Sequence, residues 1–385
     1  MTAKIKNRGP LAGVRVVDLT SMVFGPYCTQ IMADMGADVI KVEAPAGDNT
    51  RYINAGPAPG LGGIFININR GKRSIVLDLR KDRDRAALDR LIVTADVFIH
   101  SMRGKAIAGL GFDYEAVRRL RPGIVYVNCY GYSRRGPYAD RPAYDDTIQA
   151  ECGLTHVMQL MSGEPQFVPT IMADKIAGLA GLQATLLALF HRERTGEGQE
   201  VEVGMFETLT SFMLTEHGSN RMFDPPLGPA HYQRAVSRNR KPYQTRDGYI
   251  AALVYNDKHW NAFMEEVRPS WASDEFATLE QRARQIDHVY ELLASTFIER
   301  TTQEWLDVLE RLHIPAVRPR ALDDLFEDEH LEAIGFFEKV DTEQGSVRFP
   351  GVPAWFSETP GHVGAGAPLL GEHTDEILEE LGMRR

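Results

Sequence analysis

Five short runs rich in β-branched residues, separated by stretches of helical spacing, set the architecture of the first third of the chain. VRVVDL (14–19), ADVIKVE (37–43), SIVLDL (74–79), ADVFIH (95–100) and GIVYVNCYG (123–131) are mostly apolar, as strands covered on both faces must be. Between them, PYCTQIMADMG, DRDRAALDRLIVTA and DYEAVRRLR carry helical patterns. This alternation predicts an α/β fold: an open, Rossmann-like parallel sheet with helices on both faces.

A long apolar helix follows Asp174, then a glycine turn and another strand in GEGQEVEVGMF. Composition changes at 224–245, DPPLGPAHYQRAVSRNRKPYQT, which is rich in proline and basic residues. DGYIAALVYND opens a second unit with amphipathic helices around 258–267 and 286–310. At 385 residues the chain exceeds one ordinary core. The partition read from sequence is a large α/β domain at 1–200 completed by 350–385, a linker at 201–245, a small α+β domain at 246–325 and a return linker at 326–349. The tail PLLGEHTDEILEELGM predicts a short helix docked on a domain surface.

Composition narrows the function classes. A net charge of −10 argues against a nucleic-acid binder, which needs a basic field. Cys28, Cys129 and Cys152 have no metal-like spacing and read as reduced thiols of a cytoplasmic protein. The start, MTAKIKNRGP, has no apolar segment behind it, so no signal peptide is expected, and the apolar run 176–190 is short for a membrane span. No histidine spacing suits a metal, so none is expected. G-x-S-x-G is absent, and the turn LTSMVFGPYCTQ has one glycine where a nicotinamide site needs three. That turn does place Pro26 at an expected helix N1 position, beside backbone N–H groups suited to an anion. RGKRS (70–74) and HSMRGK (100–105) read either as solvated charge or, together, as a cradle for a polyphosphate.

Asp174 heads the long helix, and two roles are open for it. As an N-cap, its carboxylate would accept the N–H of Ile176 or Ala177. As a nucleophile, it would profit from the small residues Ala173, Ala177, Gly178, Ala180 and Gly181, which leave room for a substrate, and from partial desolvation.

Five blocks in order, LAGVRVVDLTSMVFGPYCTQIMADMGADVIKVEAPAGD, NRGKRSIVLDL, RPAYDDTIQAECGL, ADKIAGLAGLQATLLALFHRERTGEGQEVEVGMFE and PLLGEHTDEIL, resemble the class III CoA-transferases, the group of formyl-CoA and carnitine CoA-transferases. The resemblance implies that Asp174 attacks an acyl-CoA thioester, forming an aspartyl-acyl anhydride and then an aspartyl-CoA thioester. It implies an acidic site residue at Asp145, with Tyr144 lining the same pocket. Ser21, Met22, Val23 and Phe24 match the family's CoA-contacting turn, and Leu77, Ser101 and Met102 its adenine and pantetheine contacts. Arg103 and Lys105 would hold CoA phosphates, and Arg141 lies one position from a basic contact. Coenzyme A enters as the acyl-CoA substrate, with no permanently bound cofactor. Partners would be small mono- or dicarboxylic acids, and Arg51, Arg221 or Arg238 are candidates to pair a second carboxylate. An interlocked homodimer is implied as well.

Departures from the family pattern matter. Val23 replaces a glutamine of formyl-CoA transferases, Ser101 replaces an asparagine, and RNRKPYQTRDG stands where a glycine-rich flap would be. The same fold resembles α-methylacyl-CoA racemases, but their histidine would fall at Tyr144, and a phenol of ordinary pKa near 10 is a poor base at neutral pH. A CoA-binding module without catalysis is the reading from another class.

Overall fold

A computed structural model describes residues 9–383; the basic start at 1–8 and residues 384–385 lie outside the described part. By internal contacts the chain forms two compact units. The first runs to Cys152 and includes Pro169–Phe212 and the chain from Glu329 onward; the second comprises Gly153–Val168 and Met213–Asp328.

The first unit is built on six parallel strands: β1 (Arg15–Leu19), β2 (Asp38–Glu43), β3 (Arg73–Val76), β4 (Val97–His100), β5 (Val125–Tyr130) and β6 (Glu200–Gly204). Their order is β3-β2-β1-β4-β5-β6, so the chain reverses direction across the sheet between β1 and β4. The helices of this unit that bear on the site are α1 (Phe24–Asp34), α2 (Gly63–Asn69), α3 (Asp82–Thr94), α4 (Gly104–Gly109), α5 (Tyr114–Leu120) and α6 (Asp145–Glu151); α7 (Leu154–Ser162) belongs to the second unit, and α8 (Met172–Thr195) returns to the first. Alternate side chains of each strand feed two cores. Val16, Val97, Ile99 and Val127 pack with α1 and α8, while Val17, Phe98 and Tyr126 pack with α3, α5 and the tail helix Thr374–Glu380. The predicted α/β sheet and the docked tail are therefore present.

Several elements differ from the sequence reading. Pro26 is the third residue of α1, not its first, because Phe24 and Gly25 already turn as helix. The stretch 286–310 is two helices, Ile286–Phe297 and Thr302–Arg311, broken where Thr301 caps the second. The stretch 326–349 contains a hairpin, Phe337–Thr342 paired with Gly345–Pro350. α8 spans 24 residues, longer than the apolar run suggested, and is long and apolar enough to span a membrane by length and composition only. One side of it packs on α1, where Gly178 and Gly181 let the helices approach.

The second unit carries a small antiparallel sheet of β7 (Tyr243–Gln244), β8 (Tyr249–Ala252) and β9 (Ala316–Val317). Trp260, Phe263, Leu293, Phe297 and Trp305 fill its core.

Candidate active site

In open parallel sheets, ligands sit beyond the C-terminal strand ends where the strand order reverses. Here the segments leaving β1 and β4 meet at that point, and the Ser21 N–H donates to Ser101 Oγ at 3.0 Å. Met22 follows in the left-handed region, φ 66°, a conformation costly for a residue with a Cβ. Buried charge holds the turn in place. Asp48 Oδ1 accepts the Met22 N–H at 3.3 Å, and Lys41 Nζ donates to Asp48 Oδ2 and to the Thr20 carbonyl, each at 3.0 Å. Below it, Asp18 accepts from the Thr20 N–H (2.8 Å), Thr29 Oγ1 (2.6 Å) and Lys72 Nζ (3.1 Å). These partners hold the Asp18 carboxyl at about 2 despite its burial.

The turn delivers the Phe24 N–H to the carboxylate of Asp174. Asp174 is the third residue of α8 rather than its cap, and the position before the helix is Ile171. The expected bonds to Ile176 or Ala177 are thus replaced by a contact from another element. The cap function passes to Asp145, the first residue of α6, whose Oδ1 accepts the Asp174 N–H at 3.1 Å while its Oδ2 accepts Gln149 Nε2 at 2.6 Å. Burial among Ala173, Ala177 and Gly178, then the neighbouring Asp145 charge, push the Asp174 carboxyl up to about 7, against a smaller opposing pull from the Phe24 N–H. The result is a carboxylate poorly solvated but ionisable at neutral pH.

Beside this turn lies a cavity of about 350 Å³ lined by Thr20, Ser21, Leu77, Leu79, Met102 and Leu110, among others. Its β4 rim is fixed by His100, which sequence reasoning overlooked. The Met102 N–H donates to His100 Nδ1 (3.2 Å), so the Nε2 proton faces Tyr126 Oη (3.0 Å), which donates to the Phe112 carbonyl (2.7 Å). Burial lowers the imidazole to about 4, keeping it neutral in that tautomer. A lone histidine at a strand end gave no signal, because its partners lie on other elements.

Other sequence candidates fall as follows. The side chains of Val23 and Phe24 are buried, so at these two positions only the backbone is left to offer to a ligand. Tyr144 is exposed at the start of α6, its N–H donating to Thr147 Oγ1 at 3.0 Å. Lys105 is paired with Asp140 at 2.6 Å, and Arg141 with Glu151 at 3.3 Å while lying 3.6 Å over the Tyr138 ring. Arg103 is exposed at the head of α4. The basic loop 70–74 does not cradle a phosphate: Arg70, Lys72 and Arg73 are committed to Asp34 (2.6 Å), Asp18 (3.1 Å) and Asp38 (2.9 Å). Arg51 cannot reach a substrate either, being buried over the Phe65 ring and paired with Glu43 at 2.6 Å. Arg221 and Arg238 belong to the second unit. Among the described residues no cluster of histidine, cysteine and carboxylates is fit to hold a metal.

Comparison with known proteins adds an independent finding. The model of CoA-transferase family III matches residues 11–374. A succinate–glutarate CoA-transferase of Agrobacterium fabrum is 32% identical, covering 99% of this chain and 98% of its own. A succinyl-CoA:mesaconate CoA-transferase of Haloarcula hispanica is 31% identical, covering 97% of each chain. The crystal structure of Rv3272 from Mycobacterium tuberculosis superposes with a TM-score of 0.83 at 28% identity, covering 96% of this chain and 99% of that one.

Proposed function

Because the chain belongs to CoA-transferase family III and so exchanges CoA between an acyl-CoA and a carboxylate, we propose that Asp174 is the nucleophile of that exchange and that the acids are small dicarboxylates. The observation carrying the first part is the Asp174 carboxyl raised to about 7 at a helix head, with the Phe24 N–H on it.

The Asp174 carboxylate attacks the thioester carbonyl; the C–S bond breaks, giving an aspartyl-acyl anhydride and CoA thiolate. The thiolate attacks the aspartyl carbonyl, releasing the donor carboxylate and leaving an aspartyl-CoA thioester. The acceptor carboxylate attacks that thioester, expelling thiolate and forming the second anhydride. Thiolate then takes the acceptor acyl group and frees Asp174. No proton is gained or lost, so the site needs an ionised carboxylate and no general base. The Phe24 N–H favours the ionised state that begins and ends the cycle, and the α8 dipole adds to it.

The cavity between Leu77, Leu79 and Met102 takes the adenine and pantetheine part, with Arg103 toward the phosphates. Dicarboxylate substrates rest on the two relatives that act on succinyl, glutarate or mesaconate groups. The protein works in the cytoplasm as an interlocked homodimer. Its cysteines form no disulfide, which suits a reducing compartment, and Leu179, Leu186, Leu187 and Phe190 leave one side of α8 apolar and exposed, as a subunit contact requires.

The test is mass spectrometry after incubation with succinyl-CoA, then hydroxylamine, with Asp174→Ala in parallel. A CoA-sized adduct or a hydroxamate on the Asp174 peptide, absent from the variant, supports the scheme. No adduct with a panel of acyl-CoA donors overturns it, and α-proton exchange in deuterated water would then point to a racemase.

A further inference from the structure

Two adjoining cavities in the second unit have no part in the scheme above. One, of about 460 Å³, is walled mostly by apolar and aromatic groups including Val254, Ile286, Val289 and Tyr255, with Glu280 and Arg282 also in its lining. The other, of about 500 Å³, shares Arg234, Tyr243, Ala252, Leu253 and Tyr290 with it and adds Arg240 and Lys241. No carboxylate lines this second cavity.

Arg234 stands where the two meet. Its Nε donates to Tyr290 Oη at 2.8 Å, and its guanidinium carbon lies 4.8 Å over the Tyr255 ring. Among the described residues none of Arg234, Arg240 and Lys241 is in an ion pair, although the protein carries a net charge of −10. The nearby acids are engaged elsewhere: Glu280, in the wall of the first cavity, is paired with Arg284 and Asp257 with Arg282, each at 2.5 Å, while Asp287 accepts Ser237 Oγ at 2.5 Å and Glu291 accepts Asn239 Nδ2 at 3.2 Å.

A half-buried guanidinium without a counter-ion is costly, and one whose Nε is already used keeps its outer edge for an anion. An apolar cavity with a few convergent polar groups is the usual form of a small-molecule site. We propose that the second unit binds an organic acid with an apolar or aromatic body, its carboxylate on Arg234 with Arg240 and Lys241 in support, its body between Tyr255, Ile286 and Val289. Every residue of this site belongs to the second unit, and none of them has a part in the scheme drawn for Asp174.

Isothermal titration of the full-length protein with octanoate and with 4-phenylbutyrate tests it, using octanol and inorganic phosphate as the neutral and headgroup-only probes. The expected result is one site per chain for each acid, kept in Asp174→Asn. Arg234→Gln should weaken it about tenfold or more, and Arg234→Lys should restore part of the loss. The exposed pair Arg240→Gln and Lys241→Gln should weaken binding less and flatten its salt dependence. Circular dichroism checks that each variant is folded. The proposal is overturned if neither acid binds, if phosphate binds as tightly as the acids, if octanol does, if Asp174→Asn removes the site, or if folded Arg234→Gln binds unchanged.

Discussion

The carboxylate of Asp145 stands at the head of the helix that carries Asp174, its Oδ1 accepting the Asp174 N–H at 3.1 Å. One acid thereby satisfies an N–H of the helix terminus and also raises the pKa of the other.

A pH dependence follows. If the nucleophile is the ionised Asp174, adduct formation rises with pH and levels off above about 7, the value to which burial and Asp145 push this carboxyl. Asp145→Asn removes the like charge but not the burial, so the acidic limb should move to lower pH without reaching the usual carboxylate range. Single-turnover rates from pH 5 to 9 check this; an unmoved limb in Asp145→Asn would contradict the coupling.

The same shift affects stability. A carboxyl whose folded pKa lies above its unfolded value near 3.8 binds its proton more tightly in the native state. The native state is therefore penalised progressively from pH 4 to about 7, and fully above that. Asp174→Asn should raise the thermal midpoint at pH 8 more than at pH 5, and turnover should fall by roughly 10³-fold or more. Calorimetry at the two pH values decides the first point.

Two glycines of α8 should respond in opposite ways. A Cβ on Gly178 would meet the Phe24 carbonyl oxygen at 2.9 Å and Tyr27 Cδ1 at 3.0 Å, whereas one on Gly181 would meet nothing nearer than Phe24 Cε2 at 3.5 Å. Gly178→Ala should cost about 1–3 kcal/mol and slow the reaction, since Phe24 also supplies the N–H on Asp174. Gly181→Ala should be neutral or stabilise by up to about 1 kcal/mol, the helical gain of alanine. Urea midpoints together with kcat distinguish the two.

The buried Lys41–Asp48 pair holds the left-handed Met22 turn. Lys41→Met leaves Asp48 charged and unpaired in the interior and should cost about 3–5 kcal/mol. Lys41→Met with Asp48→Leu should recover much of that stability, yet bind acyl-CoA poorly, because the Met22 N–H loses its acceptor. Equilibrium unfolding and KM for both variants provide the check.

Met102→Glu places a charge on the rim of the cavity assigned to CoA. Loss of binding shared by ground and transition states raises KM and spares kcat. We expect KM for acyl-CoA to rise about tenfold; an equal fall in kcat would mean that the cavity takes part in the chemical step instead.

The sequence by itself determined the parallel sheet, because apolar strands such as ADVFIH can be satisfied only when covered on both faces, and that is a property of local composition. It also marked Asp174 as unusual, a lone acid among small residues at the head of an apolar helix. Its partners were not legible. The Phe24 N–H and the Asp145 carboxylate lie far from Asp174 in the chain, and their convergence depends on how α1 and α6 pack against α8. The basic residues show the same limit from the other side. Arg51, Arg70 and Lys72 read as free charge in sequence, yet Glu43, Asp34 and Asp18 neutralise them in the interior. Whether a charge is available to a ligand depends on what lies within a few ångströms of it, and only the tertiary structure decides that.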